Sequence, residues 1–118
     1  MIIYQKNEKM KKYKLEDMIG GWFIGNFSPS IIQNEDFEVA IKYYTENDYE
    51  QEHYHKIATE ITVILDGDVI MSGKKYTSGD IIVIQPNEST DFKALTDVKT
   101  VVVKTPSAKD DKFLKKQI

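Results

Sequence analysis

The 118-residue sequence predicts an all-β fold, a sandwich or barrel, from three observations. Its β-branched runs are short, as strands are and buried helices are not. Turn residues recur between them at close spacing, at Asp66-Gly67-Asp68, Ser72-Gly73-Lys74, Ser78-Gly79-Asp80 and Pro86-Asn87-Glu88. Helical periodicity is poor outside the first twenty and last ten residues.

In chain order, the pattern of strands begins near Trp22 and ends near Lys104. Trp22, Phe23 and Phe27 cluster ahead of Pro29, where core packing or a dimer contact is favoured over a platform for stacking substrate. Residues 37–44 alternate, with Phe37, Val39, Ile41 and Tyr43 on one face and Glu38, Ala40, Lys42 and Tyr44 on the other. The polar face is read as the solvent side; its rival role is a pocket wall where Glu38 and Lys42 touch substrate. Residues 60–65, 80–84 and 98–103 are further β-branched strands bounded by turns. The chain reads as one domain over 1–118, with an N-terminal extension over 1–20 and a tail over 107–118. The segment through Tyr4 suits an extra or exchanged strand, and the tail around Asp110-Asp111-Lys112-Phe113 is open to docking or to hanging free.

Composition removes several classes of chemistry. Without cysteine there is no disulfide, thiolate metal site, iron–sulfur cluster or cysteine nucleophile. All sixteen basic residues are lysine and the net charge is −3, so the guanidinium fork that reads phosphates and guanine edges is missing and nucleic acid is not an expected partner. The lysine clusters at 9–14 and 109–116 read as solvated ends. No apolar run is long enough to span a bilayer, and the N-terminus lacks a signal-like apolar centre, so a cytoplasmic location is expected.

The two histidines are His53 and His55, and in a strand their spacing places both imidazoles on one face. Glu60 opens the apolar run Ile61-Thr62-Val63-Ile64-Leu65, where a carboxylate needs a partner because an unpaired buried charge is costly. A strand starting at Glu60 is expected to lie antiparallel beside the histidine strand. Two imidazoles and a carboxylate so placed form a facial triad for a divalent first-row metal.

Those residues carry a resemblance. His53-Tyr54-His55, four residues, Glu60, six residues, Gly67 matches the first cupin motif, HxH-x4-E-x6-G, at every spacing. Gly79-Asp80-Ile81-Ile82-Val83-Ile84-Gln85-Pro86 resembles the start of the second motif. Its continuation departs, with Glu88 where the family has glycine and Asp91 where it has the last metal-binding histidine. The resemblance implies a small antiparallel jelly-roll barrel, the double-stranded β-helix, with a metal in its mouth held by His53, His55 and Glu60. Asp91 is the fourth ligand by position. Two carboxylates would neutralise the ion and favour Mn²⁺ or Fe²⁺, while Zn²⁺ and Ni²⁺ also suit the donor set.

Three functions fit this reading. One is a metal-dependent enzyme of isomerase, epimerase or lyase type acting on a small polar molecule such as a sugar or sugar acid; the others are an Fe(II) dioxygenase and a non-catalytic module that binds metal and ligand. With no third histidine, acid–base work falls to Glu38, Glu52, Lys42, Lys93 or a tyrosine. The partners expected are a small-molecule ligand and a second copy in a homodimer joined at sheet edges, with no membrane.

Overall fold

The computed structural model describes residues 9–115. A short 3-10 turn at Leu15–Asp17 precedes ten strands: β1 (Trp22–Ile24), β2 (Glu38–Tyr44), β3 (Tyr49–Tyr54), β4 (Thr59–Asp66), β5 (Asp68–Met71), β6 (Lys74–Thr77), β7 (Ile81–Ile84), β8 (Ser89–Ala94), β9 (Val98–Thr105) and β10 (Phe113–Leu114). They form two five-stranded sheets, ordered β1-β2-β9-β4-β7 and β10-β3-β8-β5-β6. All pairings between these strands are antiparallel. The fold class is the one expected.

Strand pleating sorts the side chains between the sheets and the outside. On β9, Val98, Thr100 and Val102 are buried and lead by parity to Lys104; on β4, Thr62 and Ile64 are buried and share the face of Glu60. The apolar core of Ile64, Val69, Met71, Phe92, Ala94 and Val98 occupies one end of the interior, with Tyr44, Tyr76, Ile82 and Ile84 packed against it. The other end is polar, and it holds the site.

The reading of β2 is reversed. Glu38 and Ala40 are buried, and Lys42 and Tyr44 follow them inward, whereas Tyr43 is 64% exposed. The aliphatic face is the outer one. Register aligns Ile41, Val101, Val63 and Ile81 in one row across β2, β9, β4 and β7, and Val39, Val103, Ile61 and Val83 in the next. Alternation alone cannot say which face is inside when both carry apolar atoms.

A second correction concerns β3 and β4, which are not neighbours. β3 lies between β10 and β8, and β4 between β9 and β7 in the other sheet. The link between His55 and Glu60 crosses from sheet to sheet. The tail docks: β10 pairs with β3, with Phe113 opposite Tyr54 and Leu114 opposite His53. The exchanged strand expected through Tyr4 lies outside the described residues. No helix among the described residues is long and apolar enough to cross a membrane.

The motif glycine has a steric cause. Gly67 joins β4 to β5 at a φ of 100°, and a Cβ there would stand 2.4 Å from the carbonyl oxygen of Asp97. Neither the dihedral nor the contact tolerates a side chain. Gly67→Ala is expected to cost about 2–3 kcal/mol and to lower Tm by about 10 °C, read by thermal unfolding.

Candidate metal centre

His53 is in the last turn of the pleat of β3, and His55 follows just beyond that strand. An irregularity between Glu50 and His53 places Glu50 opposite Phe92 and His53 opposite Thr90 on β8. This bulge lets side chains three residues apart both reach the interior, which strict alternation forbids. Glu60, the second residue of β4, comes from the facing sheet.

One ligand atom from each of His53, His55 and Glu60 lies within 4.8 Å of the others. Nδ1 of His53 is 3.0 Å from the carbonyl oxygen of Gln51, and since a carbonyl only accepts, the ring donates from Nδ1 and keeps the Nε2 lone pair free. His55 is 4% exposed, and its Nε2 is buried without a hydrogen-bond partner among the described residues. Burial first, then the positive charge of Lys104 and the proximity of the His53 ring, push its pKa down to about 4, so the ring is neutral near pH 7. A neutral, unpartnered imidazole nitrogen has the lone pair that a metal ion would take. Glu60 accepts a hydrogen bond from the Thr62 hydroxyl at 3.1 Å on Oε2. The residues fit a divalent ion, with positions left for other oxygen ligands.

The segment between the ligands is tied down by the tail. Asp111, 6% exposed, accepts at Oδ1 from the amides of Lys56 (2.9 Å) and Ile57 (3.1 Å), and at Oδ2 from those of Ile57 (3.1 Å) and Ala58 (2.9 Å). The carbonyl oxygen of His55 accepts from the Asn87 amide at 2.6 Å. No local pattern announces Asp111, because its partners are more than fifty residues away.

Asp91 is not brought into the group. Phe92 and Ala94 are buried, so Asp91 and Lys93 have the opposite parity on β8. The Asp91 carboxylate accepts from the Ser72 amide at 2.9 Å and from the Tyr49 hydroxyl at 3.2 Å, at the rim of the cavity. Desolvation first, then the hydrogen bond and negative charge of Asp91, hold the Tyr49 hydroxyl above its ordinary pKa.

A cavity of about 120 Å³ adjoins the triad, lined by Trp22, Lys42, Tyr44, Glu50, Thr100 and Lys104 among others. Three of the acid–base candidates lie elsewhere. Glu38 is buried and accepts from the Ser107 hydroxyl at 3.0 Å; Lys93 is exposed; Glu52 accepts from the Ser89 hydroxyl at 2.6 Å and pairs with Lys115 at 3.3 Å. Lys42 does line the cavity. Glu50 and Lys104 were not foreseen: the bulge hides the first, and parity from Val98 through Val102 is the signal for the second. The Tyr44 hydroxyl donates to Glu50 Oε1 at 2.8 Å, and burial with the nearby Glu50 raises the Tyr44 pKa well above its ordinary value. Thr100 is wholly buried, and its hydroxyl has no partner among the described residues.

No protein-family model matches the sequence and no curated protein matches it, so the likeness to known proteins is one of structure. The chain is similar to an uncharacterised conserved protein with a double-stranded β-helix domain from Klebsiella pneumoniae, at 13% identity and TM-score 0.67, over 99% of this chain and 100% of that one. It is also similar to an RmlC-like cupin from Shewanella frigidimarina, at 17% identity and TM-score 0.59, over 65% and 72% of the two chains. The fold is that of the cupins. A third likeness is to Bacillus subtilis oxalate decarboxylase, a protein with Mn(II) centres, at 14% identity and TM-score 0.58, over 69% of this chain and 24% of that one.

Removing the clamp tests its hold on the ligands. Asp111→Ala is expected to cost about 2–4 kcal/mol, since it strands the buried Ala58 amide and two part-buried ones beside it, and to weaken Mn²⁺ binding about 10–100-fold. Thermal unfolding and metal titration read the two effects separately.

Proposed function

We propose that this cupin is a metal-dependent enzyme acting on a small polar molecule, with a divalent ion held by His53, His55 and Glu60. The observation that carries the reading is the buried, unpartnered Nε2 of His55 grouped with two further donors beside a cavity. A bound ion would supply Lewis-acid stabilisation of negative charge on a substrate oxygen. Mn²⁺ and Fe²⁺ suit a set of two imidazoles and one carboxylate, as do Zn²⁺ and Ni²⁺. Asp91 stays bound to Ser72 and Tyr49.

Acid–base work falls to the Tyr44–Glu50 pair. Tyr44 keeps its proton and orients Glu50 through Oε1, and Glu50 Oε2 takes or returns a proton at the substrate. Lysines line the wall above the pair. A sugar acid or a smaller hydroxy or keto acid suits this mixture of groups. The three-residue donor set also favours a second reading, an Fe(II) dioxygenase, which iron-dependent oxygen uptake would distinguish.

Self-association belongs to the same proposal. The two aliphatic rows on the outer face run unbroken across four strands, and a two-fold axis can pair such a face with itself. Four strands wide and two side-chain rows deep, it spans about 260 Å², a contiguous apolar patch on the outer face. A homodimer through this face replaces the edge pairing expected from sequence. Ile81→Lys with Val83→Lys is expected to shift the protein to monomer in light scattering while leaving metal content unchanged; an unchanged dimer would reject this face.

Elemental analysis of untagged protein tests the metal reading. Near-stoichiometric metal is expected in wild type and Asp91→Ala, and loss of it in His53→Ala and His55→Ala with the barrel still folded by circular dichroism. Absence of metal after reconstitution with Mn²⁺, Fe²⁺, Ni²⁺ and Zn²⁺ would reject it. In the loaded protein, Glu50→Gln is expected to retain metal and lower turnover about 10²–10⁴-fold.

A further inference from the structure

The charges on the cavity wall are unevenly partnered. Among the acidic groups that line it, Glu50 accepts from Tyr44, Asp91 accepts from Ser72 and Tyr49, and Glu60 belongs to the triad. The lysines that line it, Lys42, Lys104 and Lys112, have no carboxylate within 4.0 Å among the described residues, where the ion pairs are Lys14–Glu16 and Lys115–Glu52. What two of them have is an aromatic ring. Nζ of Lys104 stands 4.9 Å from the centre of the Trp22 ring and Nζ of Lys42 stands 5.4 Å from it.

Register brings these side chains together. Lys104 on β9 lies opposite Glu60 on β4 and opposite Glu38 on β2, and Lys42 lies opposite Thr100. Trp22 on β1 pairs with Ala40, between Glu38 and Lys42 on the inner face. Burial lowers the pKa of Lys104, and the neighbouring Glu60 and Glu38 work against that shift. A ring quadrupole is a weak substitute for an anion, and it leaves the ammonium donors unfilled.

We propose that Lys42 and Lys104, set against Trp22, bind the carboxylate of the substrate beside the metal. The proposal rests on the reading of the cavity as the substrate site and assigns the residues that hold the acid group. With Glu60 committed to a divalent ion, the remaining wall has an excess of positive charge, which an anionic ligand balances and a neutral one does not. The cavity is close in size to one that holds a benzene-sized molecule, so it encloses a small acid or the acidic end of a longer one. Lysine supplies point charges here without the planar fork of arginine, which suits one carboxylate shared between two heads.

Trp22 is the sole tryptophan, so its fluorescence reports on this site alone. The test compares quenching by iodide with quenching by caesium, before and after loading with Mn²⁺. Both quenching constants are normalised to those of free N-acetyltryptophanamide; the protein's net charge of −3 favours the cation over the anion near the surface, so a normalised preference for iodide must be local. After that normalisation iodide is expected to quench more strongly than caesium by about threefold or more. Lys42→Met and Lys104→Met should each reduce the preference, Lys→Arg at either position should keep it, and malonate, but not malonamide, should suppress it.

Equal quenching by the two ions, or methionine variants that behave as wild type, would overturn the proposal. So would equal effects of malonate and malonamide. Elemental analysis on the same samples separates this inference from the metal reading. Iodide preference without metal retention would sustain the anion site and reject the metal centre; metal retention without iodide preference would do the reverse.

Discussion

The site depends on one carboxylate. Asp111 gathers three consecutive amides, those of Lys56, Ile57 and Ala58, and so shapes the short link that carries the chain from one sheet to the other. Facing sheets pack about 10 Å apart, and the link must span that gap while satisfying amides that point inward. Ala58 is 2% exposed, so water cannot serve in place of the carboxylate. Because His55 precedes the link and Glu60 follows it, the clamp sets how closely imidazole and carboxylate approach. The neighbouring pairing of β10 with β3 brings Asp111 to its place.

The interior divides between two kinds of packing. Ile64, Val69, Met71, Phe92, Ala94 and Val98 fill one end with carbon, and the stability of the barrel resides there. At the other end polar groups are buried at a cost that hydrogen bonds only partly offset, as the unpartnered His55 Nε2 and Thr100 hydroxyl show. Tyr44 bridges the two regions, packing its ring 4.4 Å from that of Phe92 while its hydroxyl meets Glu50. This separation lets His53 and His55 change without emptying the core.

Several features were legible in the residues. Strands 60–65, 80–84 and 98–103 appear within a residue or two of their expected limits, because short β-branched runs between turns have few other uses. The triad was legible through its spacing and its match to the cupin motif. Glu38 and Lys93 were not separable from Lys42 as cavity residues, since all three are charged groups on alternating strands. The bulge between Glu50 and His53 shifted the count that would have exposed Glu50, and Asp91 fell on the wrong parity for ligation.

By itself the sequence determined the all-β class, the limits of four of the strands and the grouping of His53, His55 and Glu60, which rest on periodicity, short-range spacing and a motif match. Only the tertiary structure decided which face of β2 is the interior, that the ligands converge across two sheets, that Asp111 holds the link between them, and that Lys42 and Lys104 flank Trp22. Each of these depends on how the strands pair across the two sheets. Pleating says which side chains share a face, but sheet pairing decides what that face meets.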